Sequence, residues 1–474
     1  MAESGQNQDH QFDLVLLGGG TGGYVAAIRA KQLGLNVAVV ESVKLGGTCL
    51  HRGCIPTKAM LKSASVLDEV KEAAEFGVTI DGDIGFEYGT ALGRSLKVVE
   101  SQYKGLLYLF DKKHKIPVFM GRGKIIDSST VEVTPNDGGA TFQLKTKDII
   151  LNTGSRPRAI KGIEFDGKRV FNSDHSVVLE DMPKSVIVRG GGATGVEWAD
   201  IYHRYGAKVT LVGRVVPQED QEVSQHLTRA FQRKKLDVIP DARPTAEDID
   251  VNADGVTVRI KTSKGKEQVL KAEALFVAIG RQGNVEDIGL EAVGVKADQD
   301  VIPVDSMMHT NVEHIYAIGD VNGQQMLAHT AMHQGIIAVE HIKGMNPWPL
   351  DILNSASCTY CEPEIGSVGL TEAQAKELGY EVKLGKFPMK PNAKATIEGH
   401  ADGFTKLVVD ADTDDILGVH IIGPHATELI AEAGLARFLN ASVQELATSI
   451  HPHPTVSEVI GEAANDALGH AIHI

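Results

Sequence analysis

The feature that most narrows what this chain can fold into is a glycine pattern that occurs twice in the same surroundings. FDLVLL (residues 12–17) runs into Gly18-x-Gly20-x-x-Gly23, then a helical stretch, then the strand NVAVV, which ends on Glu41, 23 residues after Gly18. SVIVRGGGATGVEWADIYHRYGAKVTLVGR repeats the scheme with Gly190, Gly192 and Gly195. Strand, glycine turn, helix, strand is the order of a mononucleotide-binding unit. Its glycines let the backbone approach a pyrophosphate at the helix N-terminus, and the acid after the second strand meets a ribose hydroxyl. Two copies imply two nucleotide ligands. Alternating strands with Gly, Asn and Asp turns follow each copy as an antiparallel meander, the first ending in Thr153-Gly154-Ser155 and the second (TVRIKTSKGKEQVLKAEALFVAIG) at Gly280. Gly18 to Gly154 is 136 residues and Gly190 to Gly280 is 90. The surplus matches two helical stretches reaching about His114, so a duplicated fold with an insertion in its first copy accounts for the layout.

That insertion opens with GGTCLHRGCIPTK, residues 46–58. In an ideal helix, Cys49 and Cys54 would stand about 8–9 Å apart at Cα. A disulfide needs less than about 7 Å, so bonding them requires a distorted first turn, and strained disulfides are readily reduced. A thiolate there would sit at the positive end of a helix, which lowers its pKa. Two inert core thiols are the other reading of the pair taken alone.

The totals set limits. A chain of 474 residues, 42% apolar and 23% charged, holds two to four ordinary globular domains. A net charge of −15 with no basic stretch argues against nucleic acid. No apolar run reaches the roughly 20 residues of a membrane helix. The polar start MAESGQNQDHQFD is expected to be a disordered tail and not a signal peptide. Four cysteines are too few for a secreted disulfide scaffold and fit a cytoplasmic protein with a redox pair. Near the other end, HPHPTVSE places His453 five residues before Glu458 on a proline-stiffened loop. Imidazole suits proton abstraction near neutral pH, and a carboxylate on its far nitrogen would fix the tautomer. A His-x-His metal pair is the competing reading; no further cluster of ligating residues supports it, and no metal is expected.

The segment GGTCxxxGCxPxK resembles the redox-active disulfide motif of the class I pyridine nucleotide-disulfide oxidoreductases, and the resemblance runs from Asp13 to the C-terminus. It implies an α/β architecture of two Rossmann-like dinucleotide-binding domains plus a C-terminal α+β dimerisation domain. Residues 1–152 would form an FAD-binding domain with the redox helix, 153–280 an NAD(P)-binding domain, 281–349 the remainder of the FAD domain, and 350–474 the interface. It assigns Cys49 as the sulfur that exchanges with substrate and Cys54 as the one facing the flavin. Lys58 and Glu197 would pair near the flavin. Gly123, Thr153, Gly154, Ser155 and Gly280 fall at cofactor segments, and Asp320, in HIYAIGD, at the ribityl chain. Met326, Leu327, Ala328 and His329 would begin a helix against the isoalloxazine. His453 and Glu458 match the family's base and its partner, reaching across a homodimer. The last third (EPEIGSVGLTEAQAKELG, ILGVHIIGPHATELI, HPHPTVSE) is most similar to the family's lipoamide branch. Its members oxidise dihydrolipoamide on lipoyl domains of 2-oxo acid dehydrogenase complexes or on the glycine cleavage carrier protein. An NADP-linked reductase of a glutathione- or mycothiol-like disulfide is the alternative, and a flavin-free interaction subunit a third.

The chain also departs from the pattern. Counting 23 residues from Gly190 gives Gly213, followed by Arg214, where the first copy has Glu41. Loss of the acid beside an arginine favours a 2′-phosphate, whereas the acids in VVPQED disfavour one. NAD is expected, with NADP possible. Arg189 stands where an apolar strand end is usual, and Gly283 where relatives carry proline. Cys358 and Cys361 have thioredoxin-like spacing but lie in a predicted strand, so they read as core thiols.

Overall fold

A computed structural model describes residues 10–474; residues 1–9 of the expected tail lie outside them, whereas residues 10–13 are not a tail but open the strand His10–Leu17, held by pairing with Phe142–Leu151. The chain forms two compact units.

The first comprises the chain up to residue 56 with residues 93–157 and 281–352. Its centre is a parallel sheet in the order Val118–Asp127, Val37–Glu41, His10–Leu17, Phe142–Leu151, Ile315–Ala317. Side chains alternate across it. Leu14, Leu16, Val37 and Val39 face Ala26, Ala27 and Ala30 of the helix Thr21–Gln32. Val15, Leu17, Ala38 and Val40 face the other way, onto Ile125, Val131 and Leu144. Burial on both faces is why these strands read as unbroken apolar runs. The two long strands continue past the parallel region and pair antiparallel with Thr130–Pro135, so sheet and meander are one structure.

The second unit comprises residues 57–92, 158–280 and 353 onward. It repeats the parallel order as Asp237–Ile239, Lys208–Val215, Ser185–Gly191, Ala274–Val277, Val170–Phe171. Its meander is a separate three-stranded sheet, Ile249–Asn252, Gly255–Lys261, Glu267–Ala272. Ala274–Val277, expected within that meander, instead joins the parallel sheet. All four of its residues are buried, so it needs cover on both faces. Residues 57–92 group here because Met60, Leu61, Ala64 and Leu67 pack with Trp198 and Tyr202. The last quarter adds a five-stranded antiparallel sheet, in the order Ser357–Thr359, Ile365–Gly369, Ile416–Ile422, Phe404–Asp410, Val382–Pro388. The helices Ala426–Phe438 and Glu458–Ala467 cover it. Among the described residues, no helix is long and apolar enough to cross a membrane.

Candidate active site

The two glycine turns share one geometry. Gly18 has φ +105° and Gly190 φ +110°. A Cβ on Gly23 would lie 2.1 Å from the Gly18 carbonyl oxygen, and one on Gly195 1.9 Å from that of Gly190. Each helix therefore sits hard against its strand. Gly20 and Gly192 occupy the N-cap positions without any side-chain cap. Elsewhere Asn172, Asp220, Thr371, Asn392 and Ser442 cap their helices with side chains. Leaving the first N–H groups of both helices uncapped is what a pyrophosphate site requires.

Around the first turn, both oxygens of the buried Glu41 are occupied. Gly19 donates its N–H to Oε2 at 2.8 Å and Val43 to Oε1 at 2.7 Å. The carboxylate thus braces the turn and keeps lone pairs for a ribose hydroxyl. Asn152, which carried no signal in the sequence beyond preceding Thr153, donates to the Gly18 carbonyl at 3.1 Å. Thr153 donates to Asn284 O at 2.7 Å, and Asn284 returns bonds to the carbonyls of Thr153 and Gly154. Ser155 donates to Asp320, and Arg281 donates to Ser155 Oγ at 2.7 Å with its Nε 3.7 Å from Asp320 Oδ2. Arg281 was legible only as the neighbour of Gly280. Leu327 is the uncapped N-cap of the helix Ala328–Ile342, with Met326 just before it and His329 in its first turn. Gly123 packs on Val40 and Leu17, where a Cβ would lie a tight 3.1 and 3.2 Å from their side chains. These residues fit FAD: a pyrophosphate cradle and a ribose acceptor.

The cysteine segment is not one helix. A short helix, Gly47–His51, holds Cys49; the chain then leaves helical geometry at Arg52 (φ −138°), and a new helix, Cys54–Glu72, begins on the second cysteine. A Cβ on Gly53 would lie 3.5 Å from Cys49 Cα and 3.2 Å from Thr48 O. The chain therefore folds back on itself between the cysteines, and the spacing of a continuous helix does not apply.

In the second unit, one turn beyond Cys54 on that same helix, Lys58 Nζ contacts Glu197 Oε1 and Oε2 at 3.0 and 2.9 Å. Tyr360, unforeseen from the sequence, donates its N–H to Glu197 Oε1 at 3.0 Å, and its ring centroid lies 4.5 Å from Lys58 Nζ. The loop before Glu458–Ala467 presents an exposed His453, with Nδ1 2.9 Å from Glu458 Oε1. Burial pushes the Glu458 carboxyl up, but the Thr455 N–H and His453 outweigh it and hold the group below its ordinary range. Folding thus favours the ionised form: this contribution to stability is full above about pH 4.5 and is lost as pH falls through the lowered pKa. His451, next along the loop, contacts Glu432 at 2.7 Å. Cys358 and Cys361 point to different acceptors, Thr427 O and Pro363 O. Burial pushes Cys358 up to about 11 and Cys361 well above its ordinary range, so neither is an activated thiol.

Around the second turn, Gly213 and the exposed Arg214 end the strand Lys208–Val215. Val216 donates to Gly191 O at 2.6 Å. Here strand backbone closes over the turn where the first copy uses a carboxylate. Gly280 lies just beyond Ala274–Val277 with φ +113°.

These features define a class, two nucleotide folds with a thiol pair at the entrance to a helix, and the comparisons agree with it. Residues 12–335 match the pyridine nucleotide-disulphide oxidoreductase family and residues 355–464 its dimerisation domain. The chain belongs to that family of oxidoreductases, which act on sulfur groups with FAD and NAD, and its dimerisation domain supports a homodimer. It is 47% identical to the dihydrolipoyl dehydrogenase of Bacillus subtilis over 98% of this chain and 99% of that one. With the dihydrolipoyl dehydrogenase of Zymomonas mobilis it shares 41% identity, again over 98% and 99%. Among solved structures it resembles LpdA from Mycobacterium tuberculosis, with a TM-score of 0.87 and 26% identity over 96% of this chain and 99% of that one.

Proposed function

We propose that this enzyme oxidises dihydrolipoamide to lipoamide with NAD as final acceptor. Cys49, Cys54, His453 and Glu458 would form the sulfur-exchange machinery. The observation that carries the reading is the helix break between the cysteines, with Gly53 seated against Cys49, which favours a Cys49–Cys54 disulfide. His453, its tautomer fixed by Glu458, takes a proton from one substrate thiol. The resulting thiolate attacks Cys49; the disulfide bond breaks and Cys54 leaves as a thiolate at the start of its helix. The second substrate thiol then displaces Cys49, closing the lipoamide ring and leaving both enzyme sulfurs reduced. FAD held by Gly18, Gly20, Gly23, Glu41 and Asp320 supplies the two-electron chemistry between sulfur and nicotinamide. Lys58 and Glu197 place a paired charge one helical turn past Cys54.

Exposed Leu435, Phe438, Leu439 and Ile450 give the last domain an apolar face suited to a homodimer, through which His453 would serve the neighbouring protomer. The relatives' activity points to lipoyl domains of 2-oxo acid dehydrogenase complexes, or the glycine cleavage carrier protein, as partners in the cytoplasm.

The decisive assay gives the purified enzyme dihydrolipoamide or reduced glutathione with NAD. Cys54→Ser should abolish dihydrolipoamide oxidation while the yellow flavin stays bound. His453→Gln should lower kcat by about 10²–10⁴. Near-full activity in His453→Gln removes it as the base; preference for glutathione removes the substrate; a colourless protein removes the enzyme reading altogether.

A further inference from the structure

Three arginines gather at the carboxyl end of the second parallel sheet, where such folds bind nucleotides. Arg189 pairs in register with Val212, and Val212 with Ile239. Arg214 follows two residues after Val212 and Arg243 four residues after Ile239. Each of three adjacent strands thus delivers one guanidinium to the same edge. Arg189 donates to Pro244 O at 3.3 Å, which brings the loop bearing Arg243 against it. Burial, then the charge of Arg243, draws the Arg189 guanidinium below its usual range, as expected for cations gathered without a counter-ion. Among the described residues, neither Arg214 nor Arg243 forms an ion pair, and both are exposed.

The neighbouring carboxylates are engaged elsewhere. Glu219 accepts from Ser367 Oγ at 2.5 Å. Asp220 accepts from the buried Lys406 at 3.1 and 3.2 Å, and Glu222 binds Lys406 at 2.8 Å as well as Lys386. Across the edge, Asp241 accepts from Ser263 N–H and Oγ, and Asp248 from Thr245. The acids that in the sequence count against a phosphate are drawn into the C-terminal sheet and the meander, and the edge keeps its positive charge.

We propose that this edge is a phosphate site on the adenosine side of the coenzyme, formed by Arg214 and Arg243 with Arg189 behind them, and that the enzyme accepts 2′-phosphorylated nicotinamide coenzyme besides NAD. The proposal rests on the second fold being the coenzyme site. Guanidinium groups suit it because they bind phosphate oxygens in a fork.

Calorimetric titration of the flavin-loaded enzyme with 2′,5′-ADP and with 5′-AMP tests it without turnover. The 2′-phosphorylated fragment should bind at least about tenfold more tightly. Arg214→Ala and Arg243→Ala should each bring that ratio toward one, and Arg243→Lys should restore part of it. Equal binding of the two fragments by the unaltered enzyme, or a ratio that both alanine variants leave unchanged, overturns the proposal. Dihydrolipoamide oxidation with NAD, run alongside, reports separately on the activity proposed above. Loss of the fragment preference with that activity intact sinks the phosphate site alone.

Discussion

The two nucleotide folds differ least where they would touch phosphate and most where they would touch the adenosine ribose. Their turns superpose in every respect that matters: positive φ at the first glycine, a bare N-cap, and a third glycine pressed on the first one's carbonyl. Past the second strand they part. The first fold ends on Glu41, bonded back to its own turn, whereas the second ends on Gly213 and Arg214 with the backbone of Val216 closing on Gly191. A pyrophosphate imposes the same demand in both places, so the turn is the same. The groups on the two riboses need not match, so the strand ends are free to diverge.

The largest expected effects break the shared part. In Gly23→Ala and Gly195→Ala the new methyl would lie 2.1 and 1.9 Å from a backbone oxygen, and backbone cannot step aside as a flexible side chain does. Gly23→Ala should yield protein that is unfolded or stripped of flavin. Gly195→Ala should keep its flavin absorbance but lose coenzyme, with KM raised by roughly 100-fold or more, about 3 kcal/mol. If Gly195→Ala bleaches the protein while Gly23→Ala does not, the assignment of the two nucleotides is reversed.

Each fold is also braced differently within its own unit. In the second, Lys406 is buried among Asp220, Glu222 and Glu372, its ammonium 2.7–3.2 Å from their oxygens. Burial alone would lower its pKa, but these three carboxylates raise it well above the ordinary lysine range. In the first fold the helix after the glycine turn is held by a more accessible pair, Arg29 with Glu340. Lys406→Met leaves carboxylates buried without their cation and should cost about 3–5 kcal/mol in chemical denaturation. Arg29→Met should cost about 0–1 kcal/mol. Equal losses would show that burial does not separate the two braces.

Much of this was readable from residue order, for a physical reason. Doubly covered parallel strands must be apolar throughout and glycine turns tolerate no substitute, so both folds announced themselves in FDLVLL, NVAVV and the glycine spacing. His453 and Glu458 were visible because only five positions separate the loop histidine from the first residue of the next helix. The features that escaped depend on partners far apart in sequence. The Tyr360 N–H on Glu197, the Gly18 carbonyl on Asn152 and the capture of Asp220 by Lys406 span 163, 134 and 186 residues. Between the cysteines the sequence required only a distorted first turn for a bond; the close approach of Gly53 to Thr48 and Cys49 shows where the chain folds.

An effect confined to one fold sharpens the contrast at its origin, the Glu41 carboxylate. Glu41→Gln is nearly isosteric but offers one acceptor oxygen where the buried turn presents two donors, Gly19 N–H and Val43 N–H. One donor would then face an amide NH₂, a loss of about 1–3 kcal/mol. Because that loss falls on the flavin side alone, FAD dissociation measured by reconstitution of apoprotein should accelerate by roughly 5- to 100-fold. The affinity for 5′-AMP at the second fold should stay where it was. A variant whose FAD affinity is unchanged would mean that the carboxylate holds neither turn nor ribose, and the divergence of the two strand ends would then need a cause other than the ribose each one meets.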